Sequence, residues 1–196
     1  AVEAVTNLFE GQPKVERNLT FSLGGFASVP NRMDLTEAGI LKNLQAIQKQ
    51  ARNKPDVNLE FIAENIETAA GTKQAKFFNF SVEMETGTGK TYVYLRTALE
   101  LFRRYGFRKF IIVVPSIAIR EGVLKTLDIT KTHFSGLFDN VPYRFYVYDS
   151  DNLSQIRQFA LSESVEFMLM TIDSFNKASN VIRQTTDRLQ GETPIH

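Results

Sequence analysis

The sequence contains no cysteine. Disulfide frameworks and thiolate metal sites are therefore excluded, a composition that suits the reducing cytoplasm. Histidine is scarce. His133 and His196 lie far apart and form no ligand cluster. No apolar run reaches the roughly 20 residues that span a bilayer. Residues Ala1 to Val5 have neither the basic start nor the apolar stretch of a signal peptide. Charge of one sign is not in excess: 23 Lys+Arg against 22 Asp+Glu leave a net charge of +1. Any contact with nucleic acid must then come from local clustering rather than a global field. Internal repeats and low-complexity segments are missing too.

What is present begins with a core. At 196 residues and 43% hydrophobic content, the chain can build one sizeable domain. Residues 84 to 91 read Met84-Glu85-Thr86-Gly87-Thr88-Gly89-Lys90-Thr91. The string ends as the phosphate-binding pattern G-x-x-x-x-G-K-[ST] ends, with Met84 in place of the first glycine. Gly87 and Gly89 allow a tight path and close approach of backbone N–H groups to phosphate oxygens. Lys90 brings a positive charge to the β- and γ-phosphates, and Thr91 a hydroxyl to Mg²⁺. The helix that follows points its positive end at the same place. The expected cofactors are ATP and Mg²⁺, bound at Gly87, Thr88, Gly89, Lys90 and Thr91. Lys90 and Thr91 are the candidate catalytic residues, and Thr91 the candidate metal ligand.

The flanks agree with a P-loop. Phe77 to Val82 is an aromatic and β-branched run suited to a buried strand. Lys90 to Tyr105 carries Val93, Leu95, Ala98, Leu99 and Phe102 at helical spacing, and Gly106 ends it. Glu83 and Glu85 alternate at a strand end, which points to structural contacts more than to acid–base chemistry. No Asp-Glu pair follows an apolar strand in this sequence. P-loop NTPases hold Mg²⁺ with such an acid, so the chain is read as incomplete or as not a standard NTPase. It starts without methionine, inside an amphipathic pattern, and ends at Pro194-Ile195-His196 with no closing element.

Before the loop, residues 1–10 read as a helix stopped by Gly11 and Pro13. Leu19 to Phe21 is a weak strand. A helix opens at Asp34-Leu35-Thr36-Glu37, capped by Thr36 or Asp34, and runs to about Arg52. Residues 52–76 read as a loop around a short helix at Phe61 to Glu67. Beyond the loop the pattern becomes regular. Phe110 to Val114 is a strand buried on both faces, and Ile117 to about Leu127 a helix. Arg144 to Tyr148 is a strand, Asn152 to Leu161 a helix, and Glu166 to Thr171 another strand. Alternating strands and helices indicate a parallel sheet with helices on both faces. The division is therefore an N-terminal helical and loop extension over 1–76 and an α/β domain over 77–196.

Three strings occur in order: Met84 to Thr91, Val113-Val114-Pro115-Ser116-Ile117-Ala118-Ile119-Arg120-Glu121-Gly122, and Met170-Thr171-Ile172-Asp173-Ser174-Phe175-Asn176-Lys177. The Thr-Gly-Thr-Gly-Lys-Thr form resembles superfamily 2 helicases and translocases. The longer strings, with Leu8-Phe9-Glu10-Gly11-Gln12, resemble the restriction (Res) subunit of type III restriction–modification enzymes. The resemblance implies a P-loop NTPase fold, the first of two RecA-like motor domains, stopping before the Walker B acids. It implies double-stranded DNA and a modification (methyltransferase) subunit as partners, no membrane, and a cytoplasmic location. It places Pro115, Ser116 and Arg120, and then Thr171 to Phe175 with Thr171 and Ser174, at DNA-facing positions. The implied activity is ATP-driven movement or communication on DNA before cleavage by the parent nuclease, with the present chain inactive alone. The alternatives are a P-loop module without turnover, or another superfamily 2 helicase or translocase.

From the residues alone, Ser116 also reads as a helix N-cap and Arg120 as a surface charge. The cluster Arg103, Arg104, Arg108 and Lys109 reads as helix-end cations more than as a DNA patch. Tyr143 to Tyr148 reads as strand core more than as a base-stacking platform. In superfamily 2 motors the Walker B strand lies between the P-loop strand and the next one. Phe78 to Val82 is therefore expected to make no ladder with Ile111 to Val114, its backbone groups left without partners.

Overall fold

The computed structural model describes residues 1–14, 21–23, 26–28, 31–68, 71–149 and 152–176. Leu19, Thr20 and Lys177 to His196 lie outside the described residues. The chain divides into two compact units. One comprises Ala1–Glu16, Arg32–Ala63 and Lys76–Phe107, the other Arg17–Asn31, Glu64–Ala75 and Arg108–His196. No helix among the described residues is long and apolar enough to cross a membrane.

The first unit is built from helices. Helix α1 spans Val2–Asn7, α2 Glu37–Gln50 and α3 Lys90–Tyr105. The Thr36 hydroxyl caps α2 by accepting from the Gly39 N–H at 3.2 Å, as its position before the apolar periodicity predicts. Gly106 ends α3 with φ of 79°, a left-handed turn that costs a glycine little. Helices α1 and α3 pack together through Phe9, Tyr105 and Phe107. The Tyr105 hydroxyl donates to the Thr6 carbonyl at 3.0 Å. The basic end of α3 is tied down: Arg103 meets the buried Glu100 at 2.6 Å, and Arg104 donates to both Glu3 oxygens at 2.9 and 3.0 Å. Gln12, also buried, accepts from the Asp34 N–H and donates to the Arg32 carbonyl, joining the end of α1 to the start of α2.

Residues 60–79 depart from the sequence expectation. Instead of a loop around a helix at Phe61 to Glu67, they form strands β3 (Glu60–Thr68) and β4 (Gly71–Asn79) of a two-stranded sheet. Phe61, Ile62 and Ile66 are β-formers by residue type, and β4 opens at Gly71, whose φ is 114°. Cross-strand packing of Phe61 on Phe78, with Lys76 over the Phe61 ring at 3.5 Å, outweighs the weak helical propensity of the Ala-Glu-Asn stretch. The expected unpaired strand is corrected: β4 pairs with β3 and stops at Asn79.

The second unit holds a hairpin of β1 (Phe21–Leu23) and β2 (Phe26–Ser28), and a parallel sheet. The sheet contains β5 (Lys109–Val114), β6 (Tyr143–Val147) and β7 (Val165–Thr171) in the order β5-β7-β6. Helix α4 (Ile117–Leu137) links β5 to β6, α5 (Leu153–Leu161) links β6 to β7, and α6 (Ile172–Asn176) follows. The two crossovers run in opposite directions across the sheet. Right-handed connections therefore put α4 and α5 on opposite faces. On the α5 face, Phe159 and Ile156 pack with Tyr146, Tyr148, Met168 and Met170. Helix α4 contacts β5 and β7 and buries Val123, Leu127 and Phe134. It runs ten residues beyond Leu127, because Phe134 keeps the buried face going and nothing breaks the helix before Phe138. Asn31 closes the outer edge of β5 at its start, accepting from the Arg108 and Lys109 N–H groups and donating to the Lys109 carbonyl.

Central strand β7 is buried along its whole length. Phe167 stacks on Phe110 at 5.5 Å and meets Tyr143 edge-on at 5.9 Å. Phe167→Ala should cost about 3–5 kcal/mol, checked by denaturant midpoint at constant slope. Lys109 gives a second prediction. Burial holds its ammonium down to about 8, with the nearby Glu166 opposing that shift and Arg108 adding to it. Between pH 8 and about 10.5 the unfolded chain holds more protons at this residue than the folded chain does, so stability should rise with pH there. The rise should show below pH ~10, where tyrosines start to titrate. Lys109→Met should flatten it in melts run from pH 7.5 to 9.5.

Candidate functional site

Two places gather the residues singled out from the sequence, one in each unit. The first is the turn before α3. Gly87 and Gly89 have φ of 83° and 81°, both left-handed. A Cβ added at either would meet no atom within 4 Å, so the backbone angle, not crowding, requires glycine, and the space over the loop is open. The Glu85 carbonyl organises the turn. It accepts from the Thr88 hydroxyl at 2.6 Å, the Thr88 N–H at 3.4 Å and the Lys90 ammonium at 2.7 Å. Sequence reasoning missed this role because it belongs to a backbone atom, on which the identity of residue 85 has no bearing.

Gly89 is the N-cap of α3 and provides no side-chain cap. The first N–H groups of this 16-residue helix are therefore not satisfied by a cap, and they carry the positive end of its dipole. Lys90 and Thr91 form the first turn. The Tyr94 hydroxyl is pushed above its usual range by burial, with the Thr91 hydroxyl beside it opposing the shift. Open space, a helix start without a side-chain cap, an ammonium and a hydroxyl on one short turn make a donor set suited to a polyphosphate and its divalent cation. A cavity of about 510 Å³ lies nearby, lined by Val5, Leu8, Ile47, Phe80, Val82 and Glu83 among others. Gly87 to Thr91 do not line it, so it is not part of the phosphate cradle.

The second place is the carboxyl edge of the parallel sheet. Val114 pairs with Thr171 in the final row of β5 and β7. Pro115 and Ser116 leave one strand where Thr171 to Ser174 leave the other, so two stretches more than fifty residues apart meet at one edge. Ser116 caps α4, its hydroxyl accepting from the Ile119 N–H at 3.3 Å. Arg120, one turn in, is paired with its exposed neighbour Glu121 at 2.9 Å. The Thr171 and Ser174 hydroxyls are 3.1 Å apart. Ligands of open α/β sheets sit at such carboxyl edges.

Other candidates have structural roles. Besides Arg103 and Arg104, Arg108 donates to the Glu163 carbonyl at 2.8 Å, and Lys109 donates to the Ser162 carbonyl. The Tyr143 and Tyr146 hydroxyls are pushed up by burial, and Tyr148 belongs to the core. Glu166 escaped notice in the sequence as one acid beginning an apolar run. It is fully buried, with the Tyr146 hydroxyl beside its carboxylate.

Comparison with known proteins gives the family. Residues 41–193 match the family described as "Type III restriction enzyme, res subunit". The chain is 30% identical over 182 residues to the EcoPI Res subunit of Escherichia phage P1, covering 91% of this chain and 16% of that protein. It is 33% identical over 142 residues to the EcoP15I Res subunit of Escherichia coli, covering 71% and 12%. A shorter stretch of 64 residues, 32% of this chain and 6% of the relative, is 52% identical to the StyLTI Res subunit of Salmonella typhimurium. The chain thus spans only 6% to 16% of the length of these relatives. Its glycine loop, its three-stranded parallel sheet flanked by helices and its matched span agree: the chain belongs to the type III restriction enzyme Res subunit family, with its P-loop, RecA-like α/β fold.

Proposed function

We propose that this chain is the ATP-binding part of the DNA motor of a type III restriction endonuclease. The observation that carries the reading is the turn at Gly87 to Thr91: left-handed glycines, an uncapped helix end and a lysine resting on a loop carbonyl. ATP with Mg²⁺ is the ligand proposed for that turn. Gly87, Thr88 and Gly89 supply backbone around the phosphates. Lys90 leaves the Glu85 carbonyl to meet the β- and γ-phosphates, and Thr91 offers its hydroxyl to the metal. When bound, Mg²⁺ supplies neutralisation of charge on the phosphates. The loop's own contribution is positioning, since its donors are held by the Glu85 carbonyl before any ligand arrives.

Double-stranded DNA is the proposed partner of the sheet edge at Pro115, Ser116, Arg120, Thr171 and Ser174. All but Pro115 offer side-chain donors suited to phosphate oxygens, which position a duplex without reading its sequence. The Arg120–Glu121 pair does not oppose this, because an exposed neighbouring ion pair contributes little, about 0–1 kcal/mol. The parent enzyme is proposed to couple ATP hydrolysis to movement or communication along DNA before cleavage, together with a modification subunit. The names of the similar Res subunits, which call them parts of restriction–modification enzymes, support the modification subunit as partner.

Two experiments test the reading. Lys90→Ala in the full-length subunit should abolish ATP turnover while leaving the melting temperature and circular dichroism unchanged. Normal ATPase activity in that variant would sink the assignment of the loop. Arg120→Ala should weaken binding to every DNA sequence alike and make the salt slope shallower by roughly one unit in log–log form. Filter binding at several salt concentrations reads both. A changed sequence preference at unchanged affinity contradicts the backbone-contact assignment.

A further inference from the structure

A row of charge crosses the parallel sheet at the end away from the DNA edge. Lys109 of β5 and Arg144 of β6 both stand opposite Glu166 of β7. The rows above are apolar on this face: Ile111, Met168 and Tyr146 share one, and Val113 and Met170 the next. Sliding β5 along β7 by two residues keeps every side chain on its own face. It then sets Ile111 against Met170, one apolar contact replacing another. The opposite face carries no charge either, with Phe110, Ile112 and Val114 beside Phe167, Leu169 and Thr171. Apolar packing therefore tolerates the slid arrangement. The charged row does not, because Lys109 would face Met168 and Glu166 would keep a cation on the Arg144 side alone.

The row is not a hydrogen-bonded bridge. Glu166 is fully buried with the Tyr146 hydroxyl beside it, while the Lys109 ammonium donates not to Glu166 but to the Ser162 carbonyl. A buried carboxylate so placed adds little stability, and an apolar side chain of similar volume is commonly as good or better there. A buried charge can instead single out one register among several, at a cost in stability.

We infer that the Lys109–Glu166–Arg144 row is a positioning device that fixes the relative level of the three strands. Through β5 and β7 it sets Pro115 and Ser116 beside Thr171 and Ser174 at the far edge. The consequence for DNA rests on the reading of that edge given above. The strand level itself does not.

The test uses the full-length subunit with Glu166→Met, and with the isosteric Glu166→Gln in case the first fails to fold. Melting temperature should stay or rise. Amide exchange in peptides covering 109–114 and 165–171 should quicken. The DNA concentration for half-maximal ATPase stimulation should rise roughly tenfold or more, while KM for ATP stays within about twofold. Unchanged exchange in those strands overturns the proposal. So does a fall in melting temperature in step with the loss of DNA affinity, which marks an ordinary structural role. Arg120→Ala is measured alongside. If exchange quickens in the Glu166 variant while neither variant moves the DNA half-saturation, the strand-level device stands and the DNA reading of the edge falls.

Discussion

The complete burial of β7 is the constraint on which the second unit depends. A strand covered on both faces needs a neighbour on each side and a helix layer above and below. The chain meets those demands with β5 and β6 as neighbours and with two crossovers that run in opposite directions. Right-handedness then assigns α4 and α5 to different layers. The same ladder carries register from Glu166 at one end to Thr171 at the other. Residues far apart in sequence arrive together at the carboxyl edge because of it. On the α5 face the cover is partial: Ile111 and Val113 of β5 remain 54% and 43% exposed.

In the first unit the corresponding constraint is backbone geometry. Two left-handed glycines turn the chain into α3, and one carbonyl, that of Glu85, collects the donors of the turn. A left-handed residue with a Cβ costs roughly 1–2 kcal/mol, so glycine at both positions removes a strain that packing would otherwise have to offset. At the other end of α3, Gly106 does the same job, and the arginines beside it are held by Glu100 and Glu3. Arg104 ties α3 to α1, while Arg103 pairs within α3.

Several features could be read directly from the residues. The glycine loop, α2 with its Thr36 cap, α3 from Lys90 to Tyr105, and the three parallel strands all follow from local signals. Each element carries its own punctuation, by glycine, proline or cap, and its own period. The failures share a cause. The β3–β4 hairpin reads locally as a short helix because its stability comes from Phe61, Lys76 and Phe78 meeting across strands, a contact with no local signature. Helix α4 was cut short because the buried Phe134 becomes legible only once a sheet lies beneath it. Asn31 and Glu166 went unremarked, since a single polar residue declares its role only through what surrounds it.

The sequence by itself determined the chemistry on offer: no thiolates, no histidine cluster, a P-loop ending in Gly-Lys-Thr, and alternating strands and helices after it. These are local properties, set by backbone angles, side-chain donors and hydrophobic period. Only the tertiary structure decided which groups share a place. It joined the Pro115–Ser116 turn to Thr171–Ser174 and aligned Lys109 and Arg144 on either side of Glu166. It also turned Arg104 into a tie between helices and Arg108 into a tie to the turn at Glu163. Strand order and register are long-range choices, made by burying whole faces together, and no short window of residues contains them.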